Sequence, residues 1–320
     1  MKKILSIDDY INGFAKHDRT ILAKAITLVE STNKNHIDMS KELVGRLLPL
    51  TGKSKRIGIS GTPGVGKSTF IEAFGKLLTS AQKSVAVLTV DPTSKISGGS
   101  ILGDKTRMNE LAIDPLAFIR PSPSGETLGG VASRTRESIL LCEAFGFDYI
   151  LIETVGVGQS ETTVSQMVDI FLMLLQPGAG DDLQGIKRGI LELVDMVIVT
   201  KDDGDNQQII QKACHDYQKA LHILRHDGVI PNVLSCSALK RKGLQEIAQS
   251  IEEYFIKQNQ LIETKRKDQN LTWLWQLVNE GIREKYLSQL NNQMIKDTEQ
   301  EIKNQSLSVP EAAARILKLI

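Results

Sequence analysis

Residues 61–69 constrain the fold of this chain more than any other stretch. They read Gly-Thr-Pro-Gly-Val-Gly-Lys-Ser-Thr and match the pattern G-x-x-x-x-G-K-[ST] at every fixed position. Glycines at these positions let the backbone bring its N–H groups close to a polyphosphate. Lys67 would place an ammonium group on the β- and γ-phosphates, and Ser68 would offer a hydroxyl to Mg²⁺. The motif predicts a nucleotide-binding loop made of Gly61, Thr62, Pro63, Gly64, Val65, Gly66, Lys67, Ser68 and Thr69.

The residues on either side of this loop support the same interpretation. Residues 56–60 form a short apolar run that predicts a buried strand. After the loop, apolar residues recur at helical spacing, at Phe70, Ile71, Phe74, Leu77 and Leu78. A strand, a glycine-rich loop and a helix in this order favour a phosphate loop over a turn that carries an incidental lysine.

Five further apolar runs predict strands of the same sheet. They are continuous rather than alternating, which indicates strands buried on both faces. The six predicted strands cover residues 56–60, 84–90, 147–152, 170–175, 196–200 and 232–235. Helical patterns lie between several of them. We therefore expect an α/β fold, a P-loop NTPase with a mostly parallel sheet flanked by helices, plus helical N- and C-terminal extensions.

Changes in the apolar pattern suggest three parts. Residues 1–52 read as a helical N-terminal extension, 53–242 as the P-loop nucleotide-binding domain, and 243–320 as a helical C-terminal region. The charged stretch 263–270 is expected to link or cap the C-terminal helices. These helices are amphipathic, and their periodicity fits either extra packing on the core or a dimerisation arm.

Composition excludes several functional classes. The 320 residues carry a net charge of +1, which gives no electrostatic case for nucleic acid or an acidic membrane surface. No apolar run approaches membrane-spanning length. Cys142, Cys214 and Cys236 are odd in number and scattered, as expected in a reducing compartment. We therefore expect a cytoplasmic protein that binds neither nucleic acid nor membrane.

Acidic residues near the ends of two predicted strands point to a metal site. Asp91 follows the second strand, where it could bind Mg²⁺ or simply start an Asp-Pro turn. Asp104 lies in the polar, glycine-rich stretch that comes next. Glu153 closes the third strand, with Gly156 three residues later, a spacing typical of nucleotide switches. The acid would hold Mg²⁺ through water, and the Gly156 amide would meet the γ-phosphate.

Two later loops predict selectivity for guanine. The fifth strand ends in Thr200-Lys201-Asp202-Asp203, close to the Asn-Lys-x-Asp motif with which GTPases read guanine. The Asp203 carboxylate would accept hydrogen bonds from guanine N1–H and the 2-amino group, and the Lys201 stem would cover the base. Thr200 replaces Asn, which could weaken a brace between loops. The sixth strand is followed by Ser237, Ala238 and Leu239, which match a guanine-supporting loop. An acidic loop without base contacts is the alternative.

Together these motifs resemble the MeaB/ArgK-type P-loop GTPases, chaperones of cobalamin-dependent methylmalonyl-CoA mutase. The resemblance covers residues 40–250 best. It rests on GISGTPGVGKST at 58–69, VDPTS at 90–94, RPSP at 120–123, LGGVA at 128–132, ETVGVGQSE at 153–161 and GAGDDLQGIK at 178–187. The stretch 124–127 departs from the family, because we expected an arginine there.

The resemblance implies a function and a set of roles. The substrate and product would be GTP and GDP, with Mg²⁺ held by Ser68, Asp91, Asp104 and Glu153. Lys67, Asp91 and Glu153 would be the catalytic residues. Residues 178–187 would form a further switch that touches the mutase, and the C-terminal helices would form a homodimer. The family has also carried the name of a lysine/arginine/ornithine (LAO/AO) transport ATPase or kinase.

Two other classes fit parts of the sequence. A nickel-insertion GTPase would need a His-rich or Cys-containing loop, which the chain lacks. An ATP-dependent kinase or transport ATPase would need an adenine site, whereas Asp203 and Ser237 indicate guanine. No glutamine directly follows Gly156, so Gln159 is only a candidate for orienting the attacking water. Slow hydrolysis accelerated by a partner is therefore expected.

Overall fold

One parallel sheet organises the first part of the chain. The computed structural model describes residues 5–90, 108–121, 128–154, 159–178, 188–224, 230–289 and 292–317. Its strands are β1 Lys55–Gly61, β2 Val85–Val90, β3 Ala117–Arg120, β4 Tyr149–Thr154, β5 Ile170–Leu175, β6 Met196–Val199 and β7 Asn232–Ser235. They lie in the order β3-β2-β4-β1-β5-β6-β7, and every neighbouring pair is parallel. The predicted α/β fold is confirmed.

Helices precede, connect and follow these strands. Before β1 come α1 Ile7–Ala15, α2 Arg19–Val29 and α3 Lys34–Leu47. Between strands lie α4 Lys67–Ser80, α5 Asn109–Ala112, α6 Leu128–Phe145, α7 Gln159–Ser165, α8 Arg188–Leu191 and α9 Gln207–Leu224. After β7 come α10 Leu244–Lys257, α11 Asn259–Gln289, α12 Asn292–Lys303 and α13 Val309–Leu317. The helical ends predicted from the sequence are therefore present.

The sheet is buried on both faces, which explains its continuous apolar strands. In β4, Ile150 and Ile152 join the core on one face, and Leu151 joins the core on the other. The first face is covered by α6, α9 and the N-terminal helices. On the second face α4 and α10 pack, and the rings of Phe70 and Phe74 stack with centroids 5.4 Å apart. Alternation along each strand thus feeds two cores.

The seventh strand, β3, was not predicted. It has four residues, lies at the edge of the sheet and pairs with β2. Only Ala117 in it is buried, so its apolar pattern is weak. The Arg19 guanidinium of α2 donates to the carbonyl oxygens of Ala117, at 2.7 Å, and of Pro115. Contacts from the N-terminal helices thus help to hold this edge.

The prediction that residues 263–270 form a link or cap was wrong. They lie inside the continuous helix α11. Two of the charged residues, Lys265 and Arg266, have partners at the amino end of the sheet. The Arg266 guanidinium donates to both carboxylate oxygens of Asp169, at 2.7 and 2.6 Å, and Lys265 Nζ donates to the Asp169 carbonyl at 2.8 Å. Such bidentate pairs are strong and directional.

The chain divides into two compact units, residues Met1–Arg266 and Lys267–Ile320. The second contains the rest of α11, with α12 and α13. Within it, the Arg315 guanidinium donates to the Glu301 carboxylate at 3.0 Å, and the Ser308 hydroxyl caps α13 by accepting from the Glu311 N–H. Among the described residues, no helix has the length and apolarity needed to cross a bilayer.

Candidate functional site

The phosphate loop (residues 61–69) connects β1 to α4 at the carboxyl edge of the sheet. A Cβ on Gly61 would lie 2.6 Å from the Leu174 carbonyl oxygen, so only glycine fits there. Gly66 has a φ of +101° and forms the N-cap of α4 in the left-handed region. Among the residues that the structure describes, no side chain caps this helix. Its first N–H groups and its positive dipole end are therefore free to bind an anion.

Lys67 is folded into this loop. Its ammonium group donates to the carbonyl oxygens of Gly61 at 2.7 Å and Thr62 at 3.3 Å, and the residue is 9% exposed. Burial lowers the pKa of the Lys67 ammonium group, while the carboxylates of Glu153 and Glu161 act in the opposite direction. A cation held in a dry loop lined with N–H groups is suited to a polyphosphate.

Ser68 and Glu153, predicted as metal ligands, lie together. The Ser68 hydroxyl donates to Glu153 Oε1 at 3.1 Å. Glu153 is 7% exposed and pairs in register with Ile59 of β1, which brings it to the phosphate loop. The structure thus unites two predicted ligands. Three other predicted site residues, Asp91, Asp104 and Gly156, lie outside the described residues, as do residues 179–187 of the predicted partner switch.

A buried polar group beneath the loop was missed by the sequence analysis. The Thr154 hydroxyl donates to Ser60 Oγ at 2.9 Å, and the Ser60 hydroxyl donates to Glu161 Oε1 at 3.4 Å. Within the described part of the chain, Glu161 Oε2 has no hydrogen-bond partner. Most buried carboxylate oxygens have a partner, so Glu161 is a candidate for a role at the site. The signal was the acid at position 161 of the ETVGVGQSE motif.

A cavity next to the phosphate loop lies where the sequence predicts the guanine base. It is lined by Val65, Gly66, Thr69, Phe70, Thr200, Lys201, Asp203, Ala238 and Leu239. All but Phe70 were predicted site residues. Phe70 is fully buried and was assigned to the core on its helical spacing. The cavity shares Val65, Gly66 and Thr69 with the phosphate loop, so one mononucleotide could occupy both.

Two loops form the far wall of this cavity. The first base loop (residues 200–203) follows β6, and the second base loop (residues 236–242) follows β7. The Ser237 hydroxyl donates to Asp203 Oδ1 at 2.5 Å and also accepts from the Lys240 N–H at 3.0 Å. Asp203 is half-buried, and its carboxylate is oriented by Ser237. The predicted guanine-reading residues are therefore brought together.

Thr200 supplies the brace that its replacement of Asn put in question. Its hydroxyl donates to the Val65 carbonyl oxygen at 2.9 Å and lies 3.2 Å from the Leu175 carbonyl oxygen. The first bond joins the first base loop to the phosphate loop. Threonine thus connects the two halves of the site with a single hydroxyl.

Comparisons with known proteins identify a family model and relatives that match this chain. The family model described as methylmalonyl-CoA mutase-associated GTPase MeaB matches residues 22–291. The GTPase ArgK of Escherichia coli K12 is 48% identical over 273 residues, covering 84% of this chain and 82% of that protein. The mouse protein named methylmalonic aciduria type A homolog, mitochondrial, is 43% identical over 330 residues, covering 98% of this chain and 79% of that protein.

A solved structure is similar over its full length. The crystal structure of an LAO/AO transport system kinase covers 99% of each chain, with 37% identity and a TM-score of 0.76. The LAO/AO name that the family has carried is thus found in the name of this solved structure.

Proposed function

The chain belongs to the MeaB family of methylmalonyl-CoA mutase-associated GTPases, and we propose that it serves as a G-protein chaperone of an adenosylcobalamin-dependent acyl-CoA mutase. It is a P-loop GTPase, which hydrolyses GTP to GDP and phosphate. In this role, GTP hydrolysis would control the loading of the cofactor into the mutase, and the chaperone would protect the mutase. We propose methylmalonyl-CoA mutase as the partner. The description of the family and the name of the mouse relative support this partner.

The observation that carries the nucleotide assignment is the continuity of the phosphate loop with the base cavity. In our proposal Lys67 and the N–H groups of α4 bind the phosphates, and Asp203 reads guanine. The kinase name of the similar structure keeps an ATP-dependent activity as the second candidate. The carboxylate of Asp203 beside Ser237 favours GTP, because adenine offers no donor pair to it.

We propose Mg²⁺ as the metal. The Ser68 hydroxyl and Glu153 carboxylate, 3.1 Å apart, supply oxygen donors of the kind that Mg²⁺ prefers. Asp91 and Asp104 would complete the set from outside the described residues. When bound, Mg²⁺ neutralises charge on the phosphate oxygens. The chain's own part is to hold the two oxygens beside the phosphate loop and to keep Lys67 charged.

Replacing Glu153 with glutamine is expected to lower GTP hydrolysis about 100-fold, because the charged carboxylate that would help to hold Mg²⁺ at the phosphates is neutralised. GDP affinity should change by less than about threefold, since the acid acts mainly in the triphosphate state. Phosphate release measured over a Mg²⁺ titration tests this. Glu42→Gln, on an exposed site of α3, is the matched control. Full activity of Glu153→Gln in EDTA would contradict both the acid's role and the metal.

Partner coupling is proposed for residues 178–188. Changing Asp182 and Lys187 together to alanine should leave GTP and GDP affinity within about twofold, because neither residue belongs to the phosphate loop or the base loops. Stimulation of hydrolysis by the mutase should fall at least about tenfold. The measurement is GTPase activity with and without the purified mutase. If stimulation survives, the loop is not the coupling element.

If the wild-type protein is not stimulated at all, the proposed partner is wrong, whatever the variant does. A pull-down from the source cell with a non-hydrolysable GTP analogue would then identify the true partner.

We also propose a homodimer formed by the C-terminal helices and a cytoplasmic location. Six large apolar side chains of α11 are 36–63% exposed within the second unit, namely Leu271, Leu274, Trp275, Leu277, Val278 and Ile282. An exposed apolar row of this size is typical of an interface. A monomer at micromolar concentration in sedimentation would contradict the dimer. The free cysteines Cys142, Cys214 and Cys236 support a reducing compartment, which fractionation of the source cell would test.

A further inference from the structure

Asp202 is a buried carboxylate that takes no part in the proposed binding of phosphate, metal or guanine. It stands between Lys201 and Asp203, at the position that the guanine motif leaves variable. The residue is 4% exposed, whereas Lys201 is exposed and Asp203 is half-buried. A carboxylate is costly to bury unless its charge is paired and its oxygens are hydrogen-bonded. The contacts of Asp202 therefore indicate its function.

Within the described part of the chain, the hydrogen-bond partners of Asp202 lie at the end of β7 and in the second base loop. The Ser235 hydroxyl donates to Oδ2 at 3.0 Å, and Lys242 Nζ donates to Oδ1 at 2.9 Å. The Asp202 N–H donates to the Cys236 carbonyl oxygen at 3.0 Å. Side chain and backbone thus attach the first base loop to both ends of the second base loop.

The second base loop is closed on itself, so what holds Lys242 also holds Ser237. These two residues exchange backbone hydrogen bonds, each 3.0 Å long. Gly243 follows with a φ of +77°, and a Cβ there would lie 2.3 Å from the Ser235 carbonyl oxygen. The loop is therefore held together as one piece. Its position relative to the first base loop is fixed by the contacts of Asp202, together with those that Ser237 and Lys240 make to Asp203.

Ser237 connects the second base loop back to the first base loop, at Asp203. Its hydroxyl donates to Asp203 Oδ1 at 2.5 Å. Asp202 and Asp203 thus hold the second base loop at different points. The Asp202 carboxylate contacts Lys242 at the end of the second base loop, and the Asp203 carboxylate contacts Ser237 near its start. A shift of the loop would turn the Asp203 carboxylate away from the base cavity.

We propose that Asp202 is a positioning residue for guanine selectivity. Through Lys242 and Ser235 it fixes the second base loop, and through Ser237 it sets the orientation of the Asp203 carboxylate. This inference rests on the proposed role of Asp203 in reading guanine. The Asp202 side chain is 5% exposed and the Lys242 side chain 47% exposed. Asp202 is therefore the buried, fixed member of this ion pair.

Calorimetry with Mg²⁺ and GDP, IDP or ADP tests the inference. Asp202→Ala should weaken GDP binding about tenfold, the usual effect of losing a buried hydrogen bond to a charged group. ADP binding should stay within about twofold, because it depends on the phosphate loop. The preference for GDP over ADP should therefore narrow about tenfold. The preference for GDP over IDP should narrow less, because hypoxanthine keeps the N1–H and lacks only the 2-amino group. Equal losses for all three nucleotides would mean general destabilisation and would overturn the inference.

Two further variants keep the test valid if Asp202→Ala does not fold. Asp202→Asn preserves the shape of the side chain, and its amide oxygen can still accept from the Ser235 hydroxyl. Lys242→Met removes the ion pair by replacing its half-exposed member. Both should narrow the GDP to ADP preference at least about threefold, in keeping with loss of one of several contacts. An unchanged preference in both folded variants would overturn the inference.

The matched control is Asp205→Asn, which removes an exposed acid three residues away. It should leave all three affinities unchanged, and a tenfold loss in this variant would attribute the effect to charge alone and overturn the inference. Failure of the Asp203 role is seen separately. A wild type that binds GDP and ADP equally would refute guanine reading itself, whereas an intact preference in the Asp202 variants refutes only the positioning role.

Discussion

Replacing Lys67 with alanine is expected to abolish measurable GTP hydrolysis and to weaken GTP binding about 100-fold. The ammonium group is held inside the phosphate loop by the carbonyl oxygens of Gly61 and Thr62, and it is 9% exposed. Charge-assisted bonds in such dry sites are stronger than those in water. A charge that stabilises the transition state contributes about 10²–10³-fold to turnover. Binding by calorimetry and phosphate release over hours measure both effects.

Lys67→Met separates the charge from the packing of the stem. It should behave like Lys67→Ala, since the methionine fills the loop without donating to phosphate. Lys24→Ala, at an exposed position of α2, provides the control and should leave turnover unchanged. Near-normal hydrolysis by a folded Lys67 variant would refute the assignment of the phosphate loop.

Asp203→Asn is expected to exchange guanine selectivity for xanthine selectivity. GTP affinity should fall about 10- to 100-fold, the range for leaving a buried polar group wrongly paired. XTP affinity should rise, because the amide can donate to the 2-oxo group of xanthine. The substitution preserves shape, and the amide oxygen can still accept from Ser237, as Asp203 Oδ1 does at 2.5 Å. The fold of the first base loop should therefore survive.

Competition among GTP, XTP and ATP for a fluorescent guanine nucleotide measures this exchange. Asp216→Asn, in the middle of the exposed side of α9, is an acid-to-amide control outside the cavity. Equal wild-type affinity for GTP and ATP would end the guanine assignment and favour the ATP-dependent alternative. An unchanged ratio of GTP to XTP affinity in Asp203→Asn would show that another group reads the base.

Motifs made of consecutive residues were predictable from the sequence. The phosphate loop and the first base loop follow buried strands, and the second base loop follows the partly buried β7. The rule that ligands bind at the carboxyl ends of parallel strands therefore predicted the edge of the sheet at which these loops lie. The short edge strand β3 escaped notice because only Ala117 in it is buried. The charged residues Lys265 and Arg266 suggested a link, since nothing in the sequence pairs them with Asp169 or Asp195.

Groups that act through distant partners could not be predicted. Ser60 and Glu161 meet only because β1 and α7 are brought together by the sheet. Asp202 reads as a variable position until its contact with Lys242 is seen. In each case the side chain is ordinary in its local sequence, and its role is set by an element far away in the chain. Local patterns carry no information about such pairings.

The central place of β1 in the sheet sets the order in which this chain can assemble. Lys55 pairs with Tyr149 on one side, and Ile57 pairs with Ile170 on the other. At a synthesis rate of about 5–20 residues per second, β4 is therefore synthesised roughly 5–20 s after β1, which has no neighbouring strand until then. Contacts between such distant residues also form slowly. The base loops are synthesised later still, so nucleotide can stabilise the fold only once nearly the whole first unit has emerged.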